Sequence, residues 1–218
     1  MVHRVITRNA PKAHTFIPTP DDLRISEAIA HAESKTSGEI VAVVASESDN
    51  YLYAPVLWAA LLALMAAWPL IYLTWMSVQW IYVVQLIVFA ALSLVLSSRP
   101  IRYRLVPRSI LEGRAHARAV EQFLVQNLHT TVGRTGVLIF VSVAERYAEI
   151  LADSGIHGKV AEGTWQRIVD TLTAHIGDGR TTDGFVAAIE AVGRHLAEHF
   201  PPGSAPANAL PNHLIVLN

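Results

Sequence analysis

The uncharged run YLYAPVLWAALLALMAAWPLIYLTWMSVQWIYVVQLIVFAALSLVLSS, residues 51–98, decides the fold of this chain. It contains no Asp, Glu, Lys, Arg or His, and the nearest charged residues are Asp49 and Arg99. A membrane-spanning helix needs about 20 apolar residues, so the run is long enough for two helices, at about 54–75 and 78–97. The link between them is short. The run therefore predicts an antiparallel transmembrane hairpin whose two ends lie on the same side of the bilayer.

A pair of buried helices in a soluble core is the alternative interpretation. Buried core segments are commonly about 10–14 residues long, and both predicted spans are longer. Trp75 and Trp80 bracket the link, where aromatic side chains would lie at the headgroup level. Pro69 lies inside the first helix, which membrane helices tolerate. These features favour the bilayer. Gln85 either hydrogen-bonds to the first helix or is a lone tolerated amide.

The composition restricts the function classes. About 170 residues remain outside the hairpin, enough for one domain with its own core. The net charge of −1 argues against a nucleic-acid partner. The absence of cysteine excludes disulfides and thiolate chemistry and fits a reducing compartment. Residues 1–19 contain no apolar core of a signal peptide, so they are expected to be a flexible N-terminus while the hairpin directs insertion.

Basic residues predict the orientation of the hairpin. Six arginines follow the second span, whereas Lys35 is the nearest basic residue before the first. Positive charge stays in the cytoplasm, so we expect an integral protein of the plasma (inner) membrane with both termini cytoplasmic. The arginines either set this topology only or also bind anionic lipid headgroups. They are Arg99, Arg102, Arg104, Arg108, Arg114 and Arg118.

Helices alternate with apolar strands in the rest of the chain. Strands are predicted at 39–45 and 136–142, and the short turn after the second predicts an antiparallel return along 146–153. The near-continuous apolar strands indicate a sheet covered on both faces. The predicted fold is a three-layer α/β/α sandwich whose two parts, 20–50 and 99–202, are interrupted by the hairpin. Residues 203–218 are expected to form a mobile tail. Helices are predicted from residue 19, from 107 or 109 to 128, from 160 to 176, and from 181 or 182 to 200.

The helix after the arginines is expected to bury an apolar face against the sheet. The spacing of its apolar residues predicts that face. Its members are Leu111, Ala115, Val120, Phe123, Leu124 and Leu128.

The chain contains, in this order, the segments Thr36–Val41, Thr135–Ser142, Glu145–Ile156, Trp165, Gly184–Ile189, Phe200–Pro202 and Asn208–Asn212. Together these segments resemble the TPM domain, and more narrowly its bacterial membrane-protein branch with a transmembrane insertion. The resemblance implies an α/β/α sandwich. Some members of the family resemble weak acid phosphatases or bind divalent metal ions, and others act as accessories to membrane complexes or their repair. The resemblance provides no nucleophile that can be assigned to a residue of this chain.

Acidic residues at the ends of strands and helices are the candidate site residues. Asp153, Glu39 and Asp183 are the candidate ligands of a divalent cation such as calcium or magnesium, since hard cations prefer several oxygen ligands. Asp153 precedes Gly155, where a loop would expose its carboxylate. The alternative is that Glu39 is a solvated strand end and that Asp183 only interacts with a helix N-terminus. Asp178 is interpreted as a turn residue.

The segment His195–His199 matches the H-x-x-E-H pattern of zinc proteases. Two imidazoles four residues apart would share a helix face. The 19 residues that follow provide no carboxylate side chain as a third ligand, so we reject this interpretation. A polar helix face near a C-terminus explains the histidines.

Two function hypotheses follow. The first is a membrane-anchored TPM-like domain of unassigned activity that binds or assists a membrane protein partner at the cytoplasmic face, with the lipid bilayer and a possible second copy as further partners. The alternative is a metal-assisted phosphatase-like hydrolase. A transporter is disfavoured because the two spans carry no charge within the membrane.

Overall fold

The computed structural model of the chain describes residues 19–131, 133–203 and 213–217. These residues form two compact units. The first consists of the described parts of Met1–Ser48 and Glu112–Asn218, and the second is Asp49–Leu111. Residues 1–18 of the expected flexible N-terminus and residues 204–212 and 218 of the expected tail lie outside the described residues.

The elements follow one another in the order expected for a mixed α/β chain. The first unit contributes a helix and a strand before the apolar region, and strands and helices after it. A single 3₁₀ turn, Leu128–Thr130, precedes the second strand. The elements are α1 Thr19–Glu33, β1 Glu39–Ala45, α2 Tyr53–Leu73, α3 Val78–Leu96, α4 Arg99–Leu105, α5 Arg108–Val125, β2 Gly136–Ser142, β3 Tyr147–Ala152, α6 Ser154–His157, α7 Thr164–Gly177, α8 Thr181–His199 and β4 Leu214–Leu217.

The strands form one sheet in the order β3-β2-β1-β4. β1 runs parallel to β2, with Glu39 opposite Gly136. β3 runs antiparallel to β2, with Val137 opposite Ala152. The predicted bounds of β1 and β2 and the antiparallel return of β3 are confirmed.

The expectation that everything after residue 202 lacks regular structure was wrong at one place. Leu214–Leu217 form β4, which lies parallel to β1 with Ala42 opposite Leu214. Ser46 donates its N–H to the carbonyl of Leu217 at 2.8 Å. The strand exists because β1 offers an unpaired edge, and a four-residue segment forms a strand only where such an edge is present.

One face of the sheet is covered by α1, α7 and α8. Alternate residues of β1 and β2 that point to this face are fully buried. The helices contribute apolar residues at helical spacing, as predicted from the sequence. Buried apolar side chains from these helices include Ile25, Ile29, Ile168, Leu172, Ile176, Phe185, Ile189, Val192 and Leu196.

The opposite face packs against α5 and the turn at Leu128. Small residues mediate this packing, because Ala115 and Ala119 are completely buried. The sheet therefore has helices on both faces, and the predicted α/β/α class is confirmed. The predicted buried face of α5 was partly wrong: Val120 and Leu124 are 38% and 51% exposed. The helix turns its small residues inward because alanine lets a helix approach a sheet closely.

The second unit holds the apolar hairpin. α2 and α3 are long and apolar enough to cross a membrane, with a mean hydropathy of 2.1 in each case. α2 buries Ala54, Pro55, Ala59 and Ala63, and α3 buries no residue. The two helices match the predicted spans to within two residues at each end.

A small polar and aromatic cluster closes the base of the hairpin inside the second unit. The Tyr51 and Tyr103 rings meet edge to face with centroids 5.6 Å apart. Arg102 is only 6% exposed and donates to Asn50 Oδ1 at 2.7 Å. At least this arginine of the predicted basic segment therefore holds the two ends of the hairpin together.

Candidate functional site

The candidate site lies at the edge of the sheet where β1 and β2 begin and β3 ends. Parallel strands begin at the same edge, and an antiparallel neighbour ends there. Asp153 follows β3 directly and donates its N–H to the carbonyl of Gly136 at 3.0 Å. Glu39, Gly136 and Asp153 thus stand in one row across three neighbouring strands.

The chain before β1 is fixed to this edge by hydrogen bonds. Thr36 Oγ1 donates to the carbonyl of Phe200 at 2.6 Å and accepts the Gly38 N–H at 3.1 Å. Thr135 Oγ1 donates to the carbonyl of Ser37 at 3.2 Å. Four of the segments that carry the family resemblance therefore have residues at this edge. They are Thr36–Val41, Thr135–Ser142, Glu145–Ile156 and Phe200–Pro202.

The two strand-end carboxylates are both buried, Glu39 being 7% and Asp153 8% exposed. Asp153 Oδ1 accepts from the N–H of Ser154 at 2.6 Å and from its hydroxyl at 3.1 Å. Asp153 Oδ2 is buried and has no hydrogen-bond partner among the described residues. A buried carboxylate oxygen without a partner is costly, so this atom is the strongest structural indication of a binding site.

Two glycines shape the surroundings of Asp153. A methyl group on Gly136 would lie 2.5 Å from the carbonyl oxygen of Leu128. A methyl group on Gly155 would collide with the carbonyl oxygens of Gly133 and Arg134. Backbone carbonyls are therefore pressed against the strand ends at this edge, and carbonyl oxygens are ligands that hard cations accept.

Asp183 lies elsewhere. Asp183 is in the first turn of α8, and its Oδ1 accepts from Arg24 Nη2 at 3.0 Å. The candidate site lies near Phe200, at the other end of that helix. About 25 Å of helix separates the two ends. The structure therefore brings Glu39 and Asp153 to one edge and leaves Asp183 out. Asp178 pairs with Arg180 at 3.0 Å in an exposed turn, as interpreted from the sequence.

The donor set at the edge consists of oxygen atoms, which suits a hard divalent cation better than zinc. Within residues 19–131, 133–203 and 213–217, no three His, Asp or Glu side chains are grouped closely enough to hold a metal ion. The histidines of the rejected zinc pattern face aromatic rings: His195 lies 6.4 Å from Trp165 and His199 lies 6.5 Å from Phe200.

Sequence reasoning missed a buried carboxylate at the opposite edge of the sheet. Glu145 is 1% exposed. Its Oε1 accepts the Ser48 N–H at 2.8 Å, and its Oε2 accepts the hydroxyl of Ser142. The Ser48 hydroxyl donates to Ser142 Oγ at 2.9 Å. The sequence signal that could have revealed this group is the Ser-x-x-Glu spacing of Ser142 and Glu145 at the end of the buried strand β2. The group ties the turn after β2 to the segment that leads from β1 toward the apolar run.

A second missed group joins β3 to α5. Tyr147 donates its hydroxyl to Glu149 Oε2 at 2.9 Å, and His116 Nδ1 lies 2.9 Å from the same oxygen. Burial, followed by the negative charge of Glu149, raises the pKa of Tyr147 far above its ordinary value. The aromatic hydroxyl therefore stays protonated and acts as a fixed donor to the carboxylate.

Comparisons with known proteins agree with the fold. The TPM domain family matches residues 105–195. The NMR structure of BA42 protein from the psychrophilic bacterium Bizionia argentinensis superposes with a TM-score of 0.57 at 20% sequence identity, covering 92% of this chain and 95% of that chain. At that identity the likeness concerns the fold alone. No curated protein matches the sequence. The family match and the shared fold together place a TPM domain at residues 105–195 of this chain.

Proposed function

We propose that this protein is a membrane-anchored TPM domain that binds and assists a membrane protein partner at the cytoplasmic face of the plasma (inner) membrane. The observation that carries the proposal is the apolar surface of the hairpin. α3 buries none of its residues, and α2 buries only four. Water does not tolerate an apolar surface of this extent on a soluble protein, so lipid or another membrane protein covers it.

The sequence around the hairpin supports the orientation. Basic residues concentrate after α3, and the link between α2 and α3 carries no charge. Positive segments remain on the cytoplasmic side during insertion. The hairpin lies in the chain between β1 and α5, so both flanking parts of the TPM domain belong on that same side.

Carbonate extraction of native membranes at high pH tests the anchor. We expect the intact chain in the membrane pellet. A matched control variant carries charges on the apolar helices, for example Leu64→Arg with Leu86→Arg, and is expected in the supernatant or to be degraded. Recovery of the unaltered chain in the supernatant would overturn the anchor.

The partner is tested separately. The chain is purified in mild detergent beside a variant whose residues 51–98 are replaced by an unrelated two-helix hairpin. A membrane protein that is retained in stoichiometric amount by the natural hairpin, and lost with the replacement, supports the proposal. A chain that carries only lipid in both preparations contradicts the partner and leaves the anchor in place.

A divalent-cation hydrolase is the second candidate, and Asp153 Oδ2 favours it. In this function Asp153 would hold calcium or magnesium together with nearby oxygen atoms, and the cation would supply charge stabilisation for a phosphoryl group. The purified full chain should then hydrolyse a generic phosphomonoester only with divalent cation, and the cation should raise the unfolding midpoint.

Asp153→Asn should abolish both effects, whereas Asp183→Asn should keep both because Asp183 lies at the other end of α8. A cation that stabilises both variants equally excludes Asp153 as a ligand. Stabilisation without hydrolysis would assign a cation site but no enzyme.

A further inference from the structure

Helices α1 and α8 form a groove in the first unit, and neither Glu39 nor Asp153 lines it. Its volume of about 320 Å³ is near the lower limit for pockets that bind small molecules. Ala32 of α1 and Gly193 of α8 are both buried, and a methyl group on Gly193 would lie 2.7 Å from the Cβ of Ala32. The two helices therefore touch at these small residues, and longer side chains from both helices form the rest of the groove.

Two cations from different segments line this groove, Lys35 just after the end of α1 and Arg194 within α8. The groove lined by His31, Lys35, Glu190 and Arg194 is called the basic groove. Lys35 Nζ lies 2.8 Å from His31 Nε2. An ammonium can only donate, so Nε2 is the acceptor and two ammonium N–H groups remain for a ligand. The Arg194 guanidinium has no hydrogen bond or ion pair with any described residue, although Glu190 lies one turn before it.

The two cations are not used to complete the end of α1. The last four carbonyls of a helix lack partners within the helix, and basic side chains near a C-terminus often donate to them. In α1 the carbonyls of residues 30–33 all accept from groups other than the Lys35 ammonium and the Arg194 guanidinium. The donors are the N–H and the hydroxyl of Ser34, the N–H of Lys35 and the N–H of Thr36.

The charges at the basic groove are not balanced by the chain itself. Glu190 provides one negative charge against the two positive charges of Lys35 and Arg194. Residues 1–18, 132, 204–212 and 218 contain no Asp or Glu, so the parts of the chain outside the described residues supply no acidic side chain. A phosphate monoester carries nearly two negative charges and three acceptor oxygens. These oxygens match one guanidinium fork and one ammonium, whereas a carboxylate has a single charge and two oxygens.

We propose that the basic groove binds the phosphate group of a small phosphate ester, to which the Arg194 guanidinium and the Lys35 ammonium donate. The ester is either a soluble molecule or a lipid headgroup, since both present the same group. Glu190 places a like charge beside the ligand and limits the affinity for phosphate. The basic groove depends on neither the membrane anchor nor the cation site at Asp153, so its failure leaves both of those proposals unchanged.

Isothermal titration of the purified full chain in mild detergent tests the groove. The titrants are inorganic phosphate and glycerol 3-phosphate, and EDTA is present so that a divalent cation at Asp153 makes no contribution. We expect saturable binding, and we expect Lys35→Gln and Arg194→Gln each to weaken it about tenfold, because each removes a charge-assisted hydrogen bond. Arg180→Gln is the matched control, since it removes the same charge in an exposed turn and should leave the affinity unchanged.

Glu190→Gln should have the opposite effect. We expect it to strengthen binding about twofold because it removes a like charge beside the ligand, whereas the exposed Glu162→Gln should leave the affinity unchanged. A loss of structure would not produce changes of both signs. The absence of saturable binding, or equal affinities for the variants and their controls, overturns the proposal. Succinate that binds as tightly as glycerol 3-phosphate overturns the assignment to phosphate.

The two sources of the phosphate group are separated in lipid nanodiscs. The full chain is reconstituted with phosphatidate or, as control, with the same proportion of phosphatidylglycerol, which is anionic but has no monoester group. Weaker binding of glycerol 3-phosphate with phosphatidate than with phosphatidylglycerol assigns the groove to a lipid headgroup and overturns the soluble source. Equal affinities assign the groove to a soluble ester and overturn the lipid source.

Discussion

Buried carboxylates lie at both edges of the sheet, and Glu145 at one edge differs from Asp153 at the other in how its oxygens are satisfied. Both oxygens of Glu145 accept hydrogen bonds from the chain itself. Asp153 uses one oxygen to accept from Ser154 and leaves Oδ2 without a partner among the described residues. A buried carboxylate whose oxygens are both hydrogen-bonded is explained by the fold, whereas one with an oxygen that accepts no hydrogen bond requires a further explanation, such as a bound cation or water. The comparison assigns Glu145 to structure and Asp153 to a candidate site.

The largest expected effect comes from filling the space beside Asp153. Gly155→Ala places a methyl group against the backbone of Gly133 and Arg134, which cannot move aside as a flexible side chain would. We expect the free energy of unfolding to fall by about 3 kcal/mol. In the detergent-solubilised chain this corresponds to a thermal unfolding midpoint lower by roughly 10 °C. Gly158→Ala is the matched control, because its methyl group meets no atom within 4 Å. Equal midpoints for the two variants would show that the carbonyls at this edge are not closely packed.

Glu145→Gln probes the satisfied carboxylate. In the natural chain the Ser48 N–H and the Ser142 hydroxyl each donate to one oxygen of Glu145. The amide keeps one acceptor oxygen, and its NH₂ group faces the other of these two donors. We expect the free energy of unfolding to fall by about 2 kcal/mol, because a buried donor loses its acceptor. Thermal unfolding measures the change, and the exposed Glu162→Gln serves as control. If Glu145→Gln is as stable as the control, the hydrogen bonds of Glu145 do not stabilise the fold, and Glu145 cannot be called structural in contrast to Asp153.

Tyr147 predicts how stability depends on pH. Its folded-state pKa is raised above the unfolded value, by burial first and by Glu149 second. The unfolded chain therefore releases this proton at a lower pH than the folded chain, and stability falls as pH rises above about 10. Below that pH the contribution is fully present. Unfolding midpoints between pH 8 and 11 should decline more steeply for the natural chain than for Tyr147→Phe. Parallel declines would contradict the buried hydroxyl.

Asp183→Asn has the smallest expected effect. The Arg24–Asp183 pair lies on the surface, with both side chains about half exposed, and such pairs contribute about 0.5 kcal/mol. We expect a midpoint change within about 2 °C. The variant sharpens the comparison because Asp183 was predicted beside Asp153 and serves as its negative control. A loss as large as that of Glu145→Gln would give Asp183 a role that its surroundings do not explain.

Sequence patterns predicted much of the fold. The strand bounds 39–45 and 136–142 agree with β1 and β2, because continuous apolar runs between glycine and polar residues leave little choice of position. The two long apolar helices follow from composition in the same way. Glu39 and Asp153 were selected as strand-end acids, and the parallel and antiparallel pairings bring them to one edge.

The failures have identifiable physical causes. The predicted buried face of α5 correctly included Ala115, but Val120 and Leu124 are exposed, and close packing on the sheet buries Ala119 instead. β4 was missed because four apolar residues near a chain end carry no periodic signal, and its pairing with β1 is non-local. Glu145 was missed as a site because only the folded turn brings Ser48 and Ser142 to its two oxygens.

The sequence by itself determined the uncharged hairpin, the strand positions and the α/β class, since these depend on local runs of apolar residues and on their periodicity. The tertiary structure decided which face of α5 meets the sheet, which acids share an edge, and which carboxylate oxygen has no partner. Those properties depend on contacts between residues far apart in the chain. Burial and hydrogen bonding are settled only when the elements pack, so no local pattern specifies them.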